Sequence, residues 1–454
     1  MRSLLVLTAL VPCLAQAPPQ PLAREICKQL IEIDTTDSSG DNTKAAEAMA
    51  ARLKAAGFPE SDVQVLSPAP RKGNLVARLR GTGARKPILL LGHLDVVEAR
   101  RADWSFNPFQ FIERDGFFYG RGTQDIKSGD AALMALLIRF KREGFRPGRD
   151  LILALTADEE TGDFNGANWL LKNHRDLVDA EYCLNVDAGG GLIKNGRPLY
   201  NGIETSEKVF LSFYLEVHNP GGHSSLPRKD NAIYRLAAGL MRLAHFAFPE
   251  QLNETTHLYF ERMAAILGGQ TGADMRAILQ TPPDPAALDR LSNIPEYNSR
   301  LRTTCVATML EAGHAENALP QRARATVNCR LLPGTSPEEV QQTLERVVAD
   351  PQIAITQIKP AKPSPPSPLR PDIFRAIEKA SDAVWPSAPV IPVMTAGATD
   401  GLYFRKAGIP TYGVSGLFID IGDDRAHGKD ERIRITSFDE AADFLYRLVK
   451  SLSS

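Results

Sequence analysis

The sequence lacks the features that mark nucleic-acid-binding and membrane-spanning proteins. Its formal net charge over 454 residues is −1, and no stretch forms a basic stripe that would follow a phosphate backbone. Beyond the N-terminus, no apolar run approaches the ~20 residues needed to cross a bilayer. We therefore expect no nucleic-acid partner and no stable membrane span.

Cysteine is scarce as well. The five cysteines include no C-x-x-C pair, so a zinc site built from thiolates is not expected. Cys305 and Cys329 lie in two β-like runs that could pair as a hairpin centred near Asn317, where a cross-strand disulfide is one alternative. We expect instead that both remain buried free thiols.

The N-terminus has the three-part form of a secretory signal peptide. Arg2 precedes an apolar run, residues 4–11, and a stretch of small residues that allows cleavage after Ala15 or Ala17. We assign residues 1–17 to this signal and expect a secreted or periplasmic protein. A lipoprotein anchor at Cys13 and an uncleaved apolar tail are the alternatives.

Strands that alternate with helices predict an α/β domain with a mixed, mostly parallel sheet flanked by helices. A different pattern begins near residue 207, where half-exposed strands and amphipathic helices predict a smaller α+β domain inserted in the first. We place the first domain at 18–206 and 362–454 and the inserted domain at 207–361. The helical stretches of residues 249–300 are assigned to the inserted domain.

Polar side chains that suit a metal ion follow the predicted strands. His93 and Asp95 end a buried apolar strand, where residues two apart project from the same side. In open α/β sheets, ligands bind at the carboxyl ends of the strands. The other candidates in similar positions are Asp125, Glu159, Glu160, Asp187 and His427.

Carboxylates with a few imidazoles are the ligand set of Zn²⁺, and they also suit Mn²⁺ or Co²⁺. If the loops converge, the acids are too many for one ion, and without metal they would repel one another and take up protons. Two ions about 3.5–4 Å apart that share one carboxylate would neutralise this charge. The residues alone therefore predict a two-metal centre.

Five motifs occur in order along the chain: Gly-His-Leu-Asp-Val-Val (92–97), Trp104 with Asn-Pro-Phe (107–109), Gly-Arg-Gly-Thr-Gln-Asp-Ile-Lys (120–127), Ala-Asp-Glu-Glu (157–160) and Gly-Gly-His-Ser-Ser (221–225). As a set they resemble the di-zinc amidohydrolase and peptidase family of acetylornithine deacetylase, succinyl-diaminopimelate desuccinylase, aminoacylase, carnosinase and carboxypeptidase S. Three further segments are similar to the carboxypeptidase S-like branch: residues 302–308, 317–320 and 325–330.

The resemblance covers nearly the whole sequence after the leader, and it implies a fold and a metal centre. The fold is a zinc-peptidase-like catalytic domain with a ferredoxin-like lid domain, through which family members often form homodimers. The implied ligands are His93 and Asp187 for one zinc, Glu160 and His427 for the other, and Asp125 as the bridge. The sequence just upstream of His427 is less typical of the family.

The same resemblance implies the remaining roles. Asp95 would orient the His93 ring, and Glu159 would act as general base on the attacking water. His223 would stabilise the oxyanion, in some family members from the partner subunit. Arg330 and Asn317 match positions that grip the terminal carboxylate of the substrate, for which arginine is suited.

The predicted function is a secreted di-zinc hydrolase that cleaves an amide or peptide bond beside a free carboxylate, as a carboxypeptidase or dipeptidase does. The substrate would be a small peptide or an N-acyl amino acid, and an N-acyl-amino-acid deacylase is the alternative on the same site. A non-catalytic binding protein on this fold and a two-metal phosphoesterase are the alternatives from other classes.

Overall fold

The structure is a computed structural model that describes residues 20–454, so the predicted signal peptide, residues 1–17, lies outside the described residues. The strands are β1 (Val63–Leu66), β2 (Asn74–Leu79), β3 (Arg85–His93), β4 (Ile112–Arg114), β5 (Phe117–Tyr119), β6 (Arg149–Thr156), β7 (Tyr182–Asn185), β8 (Gly190–Lys194), β9 (Arg197–Glu207), β10 (Val209–His218), β11 (Gly222–His223), β12 (Thr304–Ala312), β13 (Ala318–Leu319), β14 (Arg322–Leu331), β15 (Ala354–Gln357), β16 (Val390–Thr395), β17 (Thr411–Gly413), β18 (Phe418–Asp420) and β19 (Arg432–Arg434).

The helices are α1 (Pro21–Ile31), α2 (Asn42–Ala55), α3 (Lys127–Arg142), α4 (Gly166–Asn173), α5 (Arg175–Val178), α6 (Ala232–Ala244), α7 (Glu254–Leu267), α8 (Gly269–Ala277), α9 (Pro285–Ser292), α10 (Pro295–Leu301), α11 (Pro337–Val348), α12 (Pro371–Val384), α13 (Gly401–Lys406) and α14 (Ile435–Ser453). In the described part of the chain, no helix combines the length and the apolar character needed to cross a membrane.

A ten-stranded mixed sheet forms the larger part of the fold, in the order β1-β2-β6-β3-β7-β17-β9-β8-β18, with β16 beside β9. Strands β6, β3, β7 and β17 run parallel at its centre. Alternate residues of β3 enter different cores: Leu90 packs with residues of α1, α3 and α14, whereas Leu91 packs with residues of α4 and α13. The sheet is therefore covered by helices on both faces, as parallel sheets require, and the predicted fold class is confirmed.

A second, four-stranded antiparallel sheet has the order β12-β14-β10-β15. Residues of β10 alternate between a buried and a more exposed side, and the buried side packs with residues of α6 and α11 in a separate core. In chain order this unit is β-α-β-β-α-β with a 2-3-1-4 strand order, the ferredoxin-like arrangement that was predicted. The domain boundaries at 207 and 361 stay predictions.

The segment between α6 and β12 differs from its predicted place. Helices α7–α10 share a core with Tyr200 of β9 and Ile391 of β16, both in the ten-stranded sheet. Residues 249–300 were assigned to the inserted domain, and this assignment is wrong because their helices pack on the ten-stranded sheet. Apolar helix faces such as that of α7 do not reveal from sequence which sheet they will cover.

The state of two cysteines also differs from the prediction. Cys305 and Cys329 are directly opposite each other in the β12–β14 pair and are joined by a disulfide. The predicted hairpin pairing is present, but the expectation of free thiols at these positions is wrong. The pairing register brings the two side chains within bonding reach, which the sequence pattern alone does not show.

We expect that a thiol reagent will label none of the cysteines within residues 20–454 of the native protein. Cys27 and Cys183 are buried free thiols, and burial raises the pKa of Cys27 to about 12 and that of Cys183 further. Mass spectrometry after labelling in denaturant should count two thiols without reductant and four with reductant. Four labelled thiols without reductant would contradict the disulfide.

Candidate metal centre

The carboxyl ends of the central parallel strands deliver the first candidate ligands. His93 is the last residue of β3, Asp187 follows β7 by two residues, and Glu159 and Glu160 follow β6. Asp125 lies in the loop before α3, and His427 lies in the loop between β18 and β19. These loops meet at one edge of the sheet, which is where open α/β folds bind their ligands.

Asp125 lies between the two histidines and contacts each through a different oxygen. Its Oδ1 is 3.0 Å from His93 Nε2, and its Oδ2 is 2.9 Å from His427 Nε2. Asp187 Oδ1 is 3.5 Å from the same nitrogen of His93, and Glu160 Oε1 is 3.1 Å from that of His427. Asp125 therefore contacts both histidines. Each histidine also contacts a second carboxylate, Asp187 for His93 and Glu160 for His427.

Two groups of donor atoms converge closely enough to surround an ion. Atoms of His93, Glu159 and Asp187 all lie within 4.8 Å of one another, as do atoms of His93, Asp125 and Glu160. Glu159 is therefore part of the same cluster as the predicted ligands. Within residues 20–454, the only ion pairs of Asp125, Glu160 and Asp187 are with histidines.

Asp95 contributes through its backbone and its side chain in different ways. His93 Nδ1 donates to the main-chain carbonyl of Asp95 at 3.0 Å, and Asp95 Oδ1 is 3.6 Å from the same nitrogen. The Asp95 carboxylate accepts from the backbone N–H groups of Glu159 and Glu160 at 3.1 and 3.0 Å. A proton held on Nδ1 leaves Nε2 of His93 free to bind a cation.

The charges of this cluster favour divalent cations. Burial, opposed by His93 and reinforced by nearby acids, raises the pKa of Asp187 to about 7. Burial and the neighbouring Asp187 also raise the pKa of Glu159 well above its usual range. Carboxylates that resist ionisation in this way ionise readily beside a cation. Oxygen and imidazole donors without thiolates suit zinc, cobalt or manganese.

Sequence reasoning assigned no role to Glu431, which holds the loop that carries Asp125. Its side chain is fully buried. Its Oε1 accepts from the backbone N–H groups of Gln124 and Asp125, and its Oε2 accepts from Gly122 N and Arg121 Nη1 at 3.1 and 2.6 Å. Glu431 follows His427 by four residues, so it ties the loops of the bridging carboxylate and of one histidine together.

Two further buried acids behind the site were also missed. Asp158 precedes Glu159, has a positive φ of 66°, and is bound by Lys72 and the Phe164 N–H group. Asp400 accepts from the Thr156 hydroxyl at 2.6 Å, at the end of β6. Both acids fix the backbone that presents Glu159.

His223 and Asn317 lie together in the smaller domain. Residue 223 pairs with Ala318 in the β11–β13 ladder, and the Ser224 N–H group donates to the Asn317 carbonyl at 3.0 Å. The His223 ring is exposed, and its Nδ1 accepts from the Ser225 N–H group at 3.2 Å. Since Nδ1 accepts, Nε2 carries the proton and is free to donate.

Arg330 lies where the two domains face each other. Its Nη1 donates to the Ala396 carbonyl at 3.2 Å, and its guanidinium lies 4.8 Å from the centre of the Phe210 ring. Among the described residues it has no carboxylate partner within ion-pair distance, and burial lowers its pKa. An arginine without an acid beside a cleft is suited to a ligand carboxylate.

A cavity of about 570 Å³ is lined by residues of both domains, among them Glu159 and Glu160. The start of β10 and residues of the adjoining segment 358–364 also line it. The described residues that line it do not include His223 or Asn317. The structure therefore brings the predicted metal ligands and Glu159 together, keeps Arg330 near their cleft, and leaves His223 and Asn317 outside this cavity.

Comparison with known proteins identifies relatives of the chain. The model of the peptidase family M20/M25/M40 matches residues 89–451. The chain is 29% identical over 380 residues to a probable carboxypeptidase S-like 2 of Dictyostelium discoideum, covering 81% of this chain and 72% of that protein. It is also 29% identical over 378 residues to the human N-fatty-acyl-amino acid synthase/hydrolase PM20D1, covering 81% and 74%.

The fold is similar to that of a solved M20 family metallo-carboxypeptidase from Sulfolobus solfataricus. The TM-score is 0.69 at 18% identity, and the match covers 94% of this chain and 98% of the other. At this identity the likeness supports the fold, in agreement with the two sheets described above.

We expect Glu431→Gln to weaken metal binding about 10–100-fold, since partners that orient metal-site loops contribute on this scale. An amide nitrogen cannot accept from the Gln124, Asp125 or Gly122 N–H groups, so unfolding should also become easier by about 1–3 kcal/mol. Competition with a zinc chelator measures the affinity. The control is Glu113→Gln at an exposed position of β4. Wild-type affinity in Glu431→Gln would contradict the role.

Proposed function

Because the chain is a metallohydrolase that belongs to the peptidase family M20/M25/M40, we propose that it uses two zinc ions to cleave an amide or peptide bond beside a free carboxylate. The observation that carries this proposal is the position of Asp125 between His93 and His427, each with a further carboxylate at 3.5 Å or less. When bound, the ions would increase the acidity of water and polarise the scissile carbonyl.

Five residues are proposed to hold the ions: His93 and Asp187 on one side, Glu160 and His427 on the other, and Asp125 between them. Glu159 lies beside the first group and binds no lysine or arginine among the described residues. We assign it the role of general base. It takes a proton from the attacking water and delivers it to the leaving nitrogen.

His223 is proposed to stabilise the oxyanion. The support is its tautomer: because Nδ1 accepts from Ser225, Nε2–H is left to donate to a developing negative charge. His223 does not line the cavity beside Glu159. It would reach the reacting carbonyl by closure of the two domains, or from a partner subunit.

The substrate carboxylate is assigned to Arg330, with Asn317 as the second predicted contact. Two candidate substrate classes carry a carboxylate that Arg330 and Asn317 would bind. A carboxypeptidase or dipeptidase would take a short peptide, in keeping with the carboxypeptidase S-like relative. An N-acyl-amino-acid deacylase would take an amide of a fatty or other acid, in keeping with the N-fatty-acyl-amino acid synthase/hydrolase relative. Both carry an amide next to a free carboxylate.

Secretion and dimer formation are further parts of the proposal. The signal-like residues 1–17 and the Cys305–Cys329 disulfide both suit an oxidising compartment. A homodimer through the smaller domain is supported by β12, an edge strand with exposed apolar residues. Their exposed fractions are 60% for Val306, 61% for Met309 and 65% for Leu310.

We expect Glu159→Gln to lower kcat by about 10²–10⁴-fold, the usual contribution of a general base, without loss of metal. Elemental analysis should find two zinc ions per chain in both proteins. Activity is measured on a panel of N-acyl amino acids and dipeptides. The control is Asp163→Asn, an exposed acid of the same loop. Two bound ions with undiminished turnover in Glu159→Gln would exclude the assigned base. If the protein neither binds metal nor turns over any substrate when zinc is supplied in excess, the binding-protein alternative would be favoured.

We expect substrates with an amidated or esterified C-terminus to be cleaved about 10–100-fold less efficiently than free acids, since they lose a charge-assisted hydrogen bond to Arg330. Arg330→Met should remove this preference by slowing only the free acids. Values of kcat/KM for matched acid and amide pairs measure it. Arg322→Met, an exposed change on the same strand, is the control. Equal rates for acids and amides in the wild type would contradict the clamp.

A further inference from the structure

The first connection between the two sheets is anchored on both sides. Glu207 is the last residue of β9 in the ten-stranded sheet, and Val209 is the first residue of β10 in the four-stranded sheet. The buried Lys208 between them donates through Nζ to Thr304 Oγ1 at 3.3 Å, at the start of β12. Glu207 Oε1 instead pairs with Arg405 of α13 at 2.5 Å. A short connection at the ends of two elements is where hinges between domains are found.

The hydroxyl of Thr399 makes all three hydrogen bonds that a hydroxyl allows. It donates to Glu207 Oε1 at 2.5 Å, and it accepts from Asn185 Nδ2 at 3.1 Å and from the Gly401 N–H group at 3.0 Å. Because a hydroxyl has a single proton and two lone pairs, the two amide donors leave that proton for Glu207. The exposed fractions of Asn185, Thr399 and Glu207 are 0, 5 and 3%, so these bonds are shielded from water.

Asn185 extends this chain of hydrogen bonds to the metal centre. It is the last residue of β7, and its Oδ1 accepts from the backbone N–H group of Asp187 at 3.1 Å. Its amide nitrogen donates to Thr399. The bonds from the Asp187 N–H group to the Glu207 carboxylate are therefore consecutive, and every donor points the same way. Hydrogen bonds aligned in this manner strengthen one another in a protein interior.

The residues on either side of this threonine are fixed in the same two directions. Asp400 accepts from the hydroxyl of Thr156, at the end of β6, at 2.6 Å. The Ala396 carbonyl accepts from Arg330 Nη1 of the smaller domain at 3.2 Å. The segment 396–400 therefore contacts both the ligand-bearing edge of the larger sheet and the smaller domain.

We infer that Thr399 is a positioning residue that couples the orientation of the smaller domain to the position of Asp187. The inference rests on the proposed function, in which Asp187 binds one of the two ions. All the proposed ligands lie at the edge of the ten-stranded sheet, so an effect of zinc on the smaller domain has to pass through the protein. Coupling of this kind is reciprocal, and the orientation of the smaller domain in turn changes the affinity for zinc.

The first experiment measures zinc binding by competition with a chelator in Thr399→Val and Thr399→Ser. Valine keeps the shape of threonine without the hydroxyl, whereas serine keeps the hydroxyl and loses the methyl group. We expect Thr399→Val to weaken the binding of one zinc ion about 10–100-fold, the scale on which partners of metal ligands act. Thr399→Ser should restore an affinity close to that of the wild type. Equal losses in both variants, or no loss in Thr399→Val, would overturn the inference.

The second experiment follows the two domains by fluorescence resonance energy transfer. Dyes are attached through azide-bearing residues at Glu113 and Thr356, which are exposed positions of β4 and β15. An excess of unlabelled chain restricts the transfer to dyes on the same chain. We expect saturating zinc to shift the transfer efficiency in the wild type and in Thr399→Ser, and this shift to be lost in Thr399→Val. The matched control is Thr82→Val, which removes an exposed hydroxyl that donates to the Gly148 carbonyl. It should keep the shift.

The wild type alone keeps the inference testable if Thr399→Val does not fold. Two bound zinc ions without a shift in transfer efficiency would contradict the coupling and leave the proposed metal centre intact. A wild type that binds no zinc would contradict both the coupling and the proposed function. A shift that persists in folded, zinc-loaded Thr399→Val would show that the coupling does not depend on Thr399, and the assigned role would be wrong.

Discussion

The mutual repulsion of the carboxylates at the edge of the ten-stranded sheet is the constraint on which the site depends. Asp125, Glu159, Glu160 and Asp187 converge there with two imidazoles and, in the described residues, without a lysine or arginine in ion-pair contact. Such a cluster is stable as charged groups only with added positive charge. Hydrogen bonds to the carboxylates of Asp95 and Glu431 hold the loops that carry Glu159, Glu160 and Asp125 in place.

Much of the fold could be predicted because its periodicity is strong. The strands that carry His93 and Cys329 were predicted from buried or β-like runs, and they are β3 and β14 of the structure. The β8–β9 hairpin was missed, although Asn195-Gly196 is a typical hairpin turn and both residues have positive φ. The packing of α7–α10 on the larger sheet could not be predicted, because the apolar face of a helix does not show which sheet it will contact.

Most ligand candidates could be found for a related reason. His93, Glu159, Glu160 and Asp187 end or follow parallel strands of the larger sheet, and the carboxyl ends of these strands meet at one edge. The residues that position them were missed because their partners are remote in sequence. Glu431 binds the N–H group of Asp125 across 306 residues, and Asp400 binds the Thr156 hydroxyl across 244 residues. Only the folded chain brings such pairs together, and an isolated acid in a sequence is more often a surface residue.

The measurement that tests the central claim most directly is anomalous X-ray diffraction from crystals of the zinc-loaded protein at the zinc edge. The account predicts two anomalous peaks per chain about 3.5–4 Å apart. One should lie near His93 and Asp187, the other near His427 and Glu160, with Asp125 bound to both. A single peak, or two peaks that Asp125 does not bridge, would contradict the two-metal centre.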